Sequence, residues 1–117
     1  MSRSKVAILV VEDFPDVRQT AVQLLEGLGY QVLDAYNGQA ALEILQAHPE
    51  IQVLFTDVRM PGMNGLELAE IARRHRPDLK VVLTSGYVGP EDLPGDMPFV
   101  PKPWRAQDIA EAVAGAE

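Results

Sequence analysis

The chain has no cysteine among its 117 residues. That excludes a disulfide framework and a thiolate metal site, and it suits a reducing compartment such as the cytoplasm. No apolar run approaches the roughly 20 residues that a membrane-spanning helix needs. The basic start Met1-Ser2-Arg3-Ser4-Lys5 leads into a short apolar stretch that ends in acids, so neither membrane insertion nor a signal peptide is expected. Positive charge is scarce: Lys and Arg number 10 against 17 Asp and Glu, a formal charge of −7, the opposite of a nucleic-acid binder's footprint. Repeats, low-complexity tracts and long linkers are missing as well. What is present, 47% hydrophobic and 23% charged residues, is ordinary for one soluble globular domain.

The chain is organised around Val53-Leu54-Phe55-Thr56-Asp57, an apolar run that ends in a carboxylate and breaks into the loop Val58-Arg59-Met60-Pro61-Gly62-Met63-Asn64-Gly65. Three other runs end in chemistry. Val6 to Val11 runs into Glu12-Asp13, Val81-Val82-Leu83 into Thr84-Ser85, and Phe99-Val100-Pro101 into Lys102. Continuous Val- and Ile-rich runs are the mark of strands covered on both faces. Between them lie helical patterns. The first starts around Asp13-Phe14-Pro15 and carries Val17, Ala21, Leu24, Leu25 and Leu28 before Gly29, with proline at its start and glycine at its end. Gln31 to Ala35 is a short strand. A helix with Ala41, Ile44 and Leu45 follows the Asn37-Gly38 turn signal and runs to about His48-Pro49. Ile51 to Thr56 is the third strand, and Asn64-Gly65 opens a helix with Leu68, Ile71 and Ala72 inward, closed by Arg76-Pro77-Asp78. Lys80 to Thr84 is the fourth strand, Phe99 to Pro101 the fifth, and a last helix runs from Trp104 or Arg105 to Ala114. Strands alternating with helices of this length predict an α/β fold with a parallel sheet and right-handed crossovers. The segment 86–97 breaks the rhythm. Its prolines and glycines leave room for one or two helical turns near Glu91 to Leu93 at most, and it is expected to be the most mobile part of the domain.

Parallel neighbours would deliver three acids, a hydroxyl and a lysine to one sheet edge, where open α/β sheets place their ligand chemistry. The set suits phosphoryl transfer, which is chiefly positioning and electrostatics. A carboxylate accepts a phosphoryl group only when the surrounding negative charge is neutralised. A hard cation such as Mg²⁺ takes carboxylates, a carbonyl and water, and Lys102 adds a point charge. Three acids packed together favour cation binding or proton uptake.

The acid pair after the first strand, T-D-V-R-M-P-G-M-N-G after the third, T-S-G after the fourth and P-K-P after the fifth together resemble the response-regulator receiver domain of two-component signalling, of the chemotaxis-regulator type. The resemblance runs from Val6 to Ala114 and implies a single receiver domain over 1–117. It implies a flavodoxin-like, doubly wound five-stranded parallel sheet of order 2-1-3-4-5, here with a short or irregular fourth helix. It further implies Asp57 as phosphoacceptor, Asp13 as a direct metal ligand, Glu12 acting largely through metal-bound water, and the Arg59 backbone carbonyl as a further ligand. The ion is then Mg²⁺, with Mn²⁺ as an alternative. Thr84 is the switch hydroxyl, Phe99 the switch aromatic and Lys102 the phosphoryl-binding cation, with Lys102-Pro103 in the cis form. The implied donor is a sensor histidine kinase or phosphotransfer protein. An unidentified downstream protein is the target, and a weak homodimer is compatible with the pattern. The domain would catalyse its own phosphorylation and dephosphorylation without being a conventional enzyme.

Plainer readings stand beside these. Asp57 could cap a loop, Glu12-Asp13 could be helix-start acids, Thr84 could bond local backbone, and Lys102 and Arg59 could face solvent. His48 and His75 read as surface residues, and Trp104 as a packing residue at the start of the last helix. Two other functions compete: a metal-dependent phosphatase of the dehalogenase type, which needs an acid where Arg59 stands, and a pseudo-receiver that binds a partner without phosphorylation. A stand-alone regulator and the receiver of a hybrid kinase are both open, with T-S-G-Y and P-K-P-W a weak resemblance to the latter.

Overall fold

Strand β1 (Ala7–Val11) is buried along its whole length, because side chains alternate between two covered faces. Ala7, Leu9 and Val11 enter one apolar cluster and Ile8 and Val10 the other. In the computed structural model, which describes residues 6–86, 93, 95 and 97–116, the remaining elements are α1 (Pro15–Gly27), β2 (Gln31–Ala35), α2 (Gly38–Ala47), β3 (Ile51–Asp57), α3 (Gly65–His75), β4 (Lys80–Ser85), β5 (Phe99–Pro101) and α4 (Ala106–Ala116). Helices α2 and α3 cover the first cluster through Ala41, Leu45, Leu68, Ala69 and Ala72. Helices α1 and α4 cover the second through Ala21, Leu25, Ile109 and Val113.

The sheet order is β2-β1-β3-β4-β5 with every pair parallel, the order that the resemblance implied. The chain winds outward in both directions from β1 and β3, and the crevice beyond the carboxyl ends of those two strands is where such folds hold ligands. Register brings the ends level. Val11 pairs with Thr56, Asp57 with Thr84, and Ser85 with Pro101.

Local chemistry explains most boundaries. Pro15 occupies the first turn of α1 behind Phe14, where its missing N–H costs nothing. At the other end Gly29 has a φ of 97°. Its N–H donates to the Glu26 carbonyl at 3.0 Å, and that of Tyr30 to Leu25 at 3.2 Å, the paired closure that a left-handed glycine permits. Leu28, at helical spacing with the apolar residues before it, is therefore past the helix and 41% exposed. Asn37 caps α2, accepting from the Ala40 N–H at 2.8 Å. Asn64 and Glu67 form a reciprocal capping box on α3, at 2.8 and 3.0 Å. At the far end of α3, Arg76 Nη2 donates to the carbonyls of Pro49 (2.9 Å) and Ile51, tying α3 to the start of β3.

Helix α4 begins at Ala106, one or two residues later than the sequence suggests. The expected helical turns near Glu91 to Leu93 and the expected mobility of 86–97 fall mostly outside the described residues. Among the described residues of that stretch, Leu93 and Met97 pack on the α2–α3 cluster, and the Pro98 carbonyl accepts from the Leu83 N–H at 2.8 Å, bringing the chain into β5. Among the described residues no helix is long and apolar enough to cross a membrane.

Candidate functional site

Glu12 and Asp13 follow the end of β1, Asp57 ends β3, Thr84 lies near the end of β4, and Lys102 follows β5. The parallel register gathers them at one edge. One carboxylate oxygen from each of Glu12, Asp13 and Asp57 lies within 4.8 Å of the others. Glu12 is 1% exposed and Asp57 4%, so these acids have little water to screen them.

Lys102 bridges the pair. Its Nζ donates to Glu12 Oε1 at 2.5 Å and to Asp57 Oδ2 at 2.9 Å. The second oxygen of each carboxylate takes a backbone N–H: Glu12 Oε2 from Phe14 at 3.1 Å and Asp57 Oδ1 from Arg59 at 3.2 Å. Burial pushes the Glu12 carboxyl up to about 7, against the opposing hydrogen bonds from Lys102 and the Phe14 N–H, with Asp13 and Asp57 adding to the rise. For Lys102, burial favours the neutral amine, but the bonds to Glu12 and Asp57 outweigh it and hold the ammonium above its usual range. The lysine is therefore a permanent charge at neutral pH.

Asp13 differs from its neighbours. Its Oδ1 is buried without a hydrogen-bond partner, an arrangement that costs free energy unless something else satisfies the oxygen. An unpartnered oxygen next to two buried carboxylates is the donor set of a hard divalent cation. The residues present thus fit a Mg²⁺-type ion.

The backbone around Asp57 is clamped. The Val58 N–H donates to the Thr84 carbonyl and the Gly65 N–H to the Val58 carbonyl, both at 2.9 Å. A Cβ on Gly65 would lie 2.1 Å from the Asp57 carbonyl oxygen, so only glycine lets α3 start this close to the strand end. Met63 from the same loop packs over Gly38 at the start of α2, where a Cβ would meet its sulfur at 2.6 Å.

Each predicted site residue except Phe99 lies at this edge. Phe99 is half-buried and packs with the α2–α3 cluster beside Leu83. Lys102-Pro103 is cis, as the resemblance implied. His48 is half-buried and pairs with Glu50 at 3.0 Å, while His75 lines a groove between α2 and α3. Trp104 requires a correction: it does more than pack, because its indole Nε1 donates to Thr84 Oγ1 at 2.7 Å. Arg18 was also missed. It donates to the Glu12 carbonyl and to Asp34, both at 2.9 Å, holding the acid-bearing turn against β2. Helical spacing signals neither contact, since both partners lie on other elements.

The chain is thus a doubly wound parallel α/β domain with a lysine-bridged acid cluster at its switch point. The chain belongs to the response regulator receiver domain family, whose model matches residues 8–114. It is 38% identical over 111 residues to the response regulator receiver protein CpdR of Brucella abortus, covering 91% of this chain and 92% of that protein. A crystal structure of the receiver domain from the hybrid histidine kinase CckA superposes with a TM-score of 0.81 at 37% identity, covering 94% of this chain and 97% of that one. The chemotaxis protein CheY4 of Vibrio cholerae shares the fold, with a TM-score of 0.90 at 23% identity over 97% of this chain and 100% of that chain. Receiver domains act in two-component signalling, where phosphoacceptance is the family function and Mg²⁺ binds at an acidic pocket. They interact with histidine kinases and downstream effectors.

Proposed function

We propose that Asp57 is the phosphoacceptor of this receiver and takes its phosphoryl group from a phosphohistidine on a sensor kinase or phosphotransfer protein. The observation that carries this reading is the pairing of the buried Asp57 carboxylate with Lys102 (2.9 Å) inside a cluster of three acids. An Asp57 oxygen attacks phosphorus, the P–O bond forms as the P–N bond breaks, and the imidazole leaves with the electron pair and picks up a proton. Lys102 is placed to neutralise charge on the phosphoryl oxygens, and the Arg59 N–H orients the acceptor carboxylate. Thr84 supplies a hydroxyl donor to the product, and Phe99 is the aromatic that repacks in response.

Glu12, Asp13, Asp57 and the Arg59 carbonyl would hold Mg²⁺ or Mn²⁺. The ion would supply charge neutralisation where acid and phosphoryl group meet. Once formed, the acyl phosphate adds about −1.5 to −2 charges to the site, which is the signal. The family points to a cytoplasmic setting, and the target is a downstream protein recognising the changed 84–102 region.

Intact mass after incubation with acetyl phosphate tests the reading. A gain of one phosphoryl group is expected with Mg²⁺, and none without it or in Asp57→Asn. A folded, metal-binding protein that gains nothing from acetyl phosphate or from a phosphohistidine donor would instead be a pseudo-receiver.

A further inference from the structure

Trp104 touches three parts of the site at once. Its indole Nε1 donates to Thr84 Oγ1 at 2.7 Å. Its ring meets Phe55 edge-on, with centroids 5.7 Å apart and planes at 63°. Lys102 Nζ lies 5.7 Å from the ring centroid. An indole nitrogen can donate but not accept. Thr84 is 1% exposed, so water is poorly placed to replace a lost partner.

Strand alternation sets which aromatic belongs to Thr84. Side chains two apart share a face, so Thr84 follows Val82 toward the α1–α4 cluster, where Trp104 also packs. Phe99 packs with the opposite cluster. The aromatic hydrogen-bonded to the switch hydroxyl is therefore the one at the entrance to α4.

We propose that Trp104 is a positioning residue for the switch: its indole N–H holds Thr84 Oγ1 in the resting rotamer, and the turn of Thr84 toward a phosphoryl group on Asp57 breaks that bond and frees the start of α4. The proposal rests on the phosphoacceptor reading of Asp57. It gives the site a second outlet, through α4, besides the β4–β5 connection. It also makes the indole a restraint on phosphorylation, because a donor stranded in a half-buried site opposes the turn.

The chain's single tryptophan yields one indole N–H resonance in a nitrogen-correlated NMR spectrum. With acetyl phosphate and Mg²⁺ added to the full chain, that proton resonance is expected to move upfield, as a lost hydrogen bond requires, in step with the phosphoryl mass. Thr84→Val, which deletes the acceptor, should show the upfield position before any phosphoryl donor is added. Trp104→Phe keeps a ring but no donor, and should reach a given phosphorylated fraction at several-fold lower acetyl phosphate. A phosphoryl mass gain with the wild-type indole resonance unmoved overturns the proposal and leaves Asp57 as acceptor. An unchanged acetyl phosphate requirement in folded Trp104→Phe overturns it too. No mass gain in the wild type, from acetyl phosphate or from a phosphohistidine donor, overturns the acceptor reading and this proposal together. The wild-type spectrum needs no variant to fold.

Discussion

The β1–β3 side of the site and the β4–β5 side are built in opposite ways. On the first, chemistry sits on clamped backbone. Glu12 is held by the Phe14 N–H and, through its carbonyl, by Arg18, and Asp57 is wedged against a glycine at the start of α3. On the second, chemistry sits on side chains that reach across space. Lys102 extends to two carboxylates from just past a three-residue strand, and Thr84 is held by an indole. Under the proposed function, the contrast separates storage from response. The acids must keep their spacing whether or not charge is added, whereas the donors must be free to exchange partners. Substitutions that disturb the backbone clamps of the first side should therefore cost stability, and substitutions of the reaching side chains on the second should change how readily the site is phosphorylated.

The sharpest way to break that comparison is Gly65→Ala. A methyl group 2.1 Å from the Asp57 carbonyl oxygen cannot be accommodated without moving α3 or β3, and overpacking of this kind costs about 1–3 kcal/mol, occasionally more. Urea unfolding should show a loss at the upper end of that range. A loss below about 0.5 kcal/mol would mean the clamp is soft.

Lys102→Met should do the reverse. With the cation gone, acyl phosphate formation is expected to fall by about 10²-fold, in the range for losing a single charge-stabilising donor. The stability change should be smaller near pH 5 than near pH 8, because a protonated Glu12 no longer needs the lysine. Rates from time-resolved intact mass, beside urea midpoints at the two pH values, check both halves. Equal losses of stability at both pH values would contradict the pairing.

Asn64→Ala removes the capping box of α3 without touching Lys102 or Thr84, and should cost about 1 kcal/mol with little effect on the rate at which phosphoryl mass appears. The smallest effect is on titration. The Glu12 carboxyl is raised to about 7 from 4.5, so the folded chain takes up a proton that the unfolded chain has already released. The stability associated with that proton is complete below about 4.5 and lost as pH rises through about 7. Carbon NMR of the Glu12 carboxyl without metal should show a midpoint near 7. Mg²⁺ should lower the midpoint, because a cation favours the ionised form. A midpoint unmoved by Mg²⁺ would remove Glu12 from the ion's surroundings.

Much of this was legible in local sequence. The apolar run Val6 to Val11 has both faces covered, so it could be read as a central strand. Asn64 and Glu67 stand three apart at the start of α3, and Pro15 and Gly29 bracket α1; each acts through neighbours within one turn. Strand order and the gathering of Glu12, Asp13, Asp57, Thr84 and Lys102 followed from alternation of elements and from motif resemblance together. Leu28 keeps the helical spacing yet lies past the end of α1, because spacing does not show where the backbone turns. Trp104 was misjudged because a ring at a helix start looks the same whether or not its N–H finds an acceptor twenty residues away.

By itself, then, the sequence determined the parallel α/β architecture and which residue types stand at each strand end, since hydrophobic period, caps and turn residues act over a few positions. The tertiary structure alone decided the pairings. It joined Lys102 to a carboxylate 90 residues distant, left Asp13 Oδ1 without a donor, and set an indole on Thr84. Those contacts depend on how far each side chain reaches once two helical layers have been packed on the sheet, and no spacing along the chain encodes that distance.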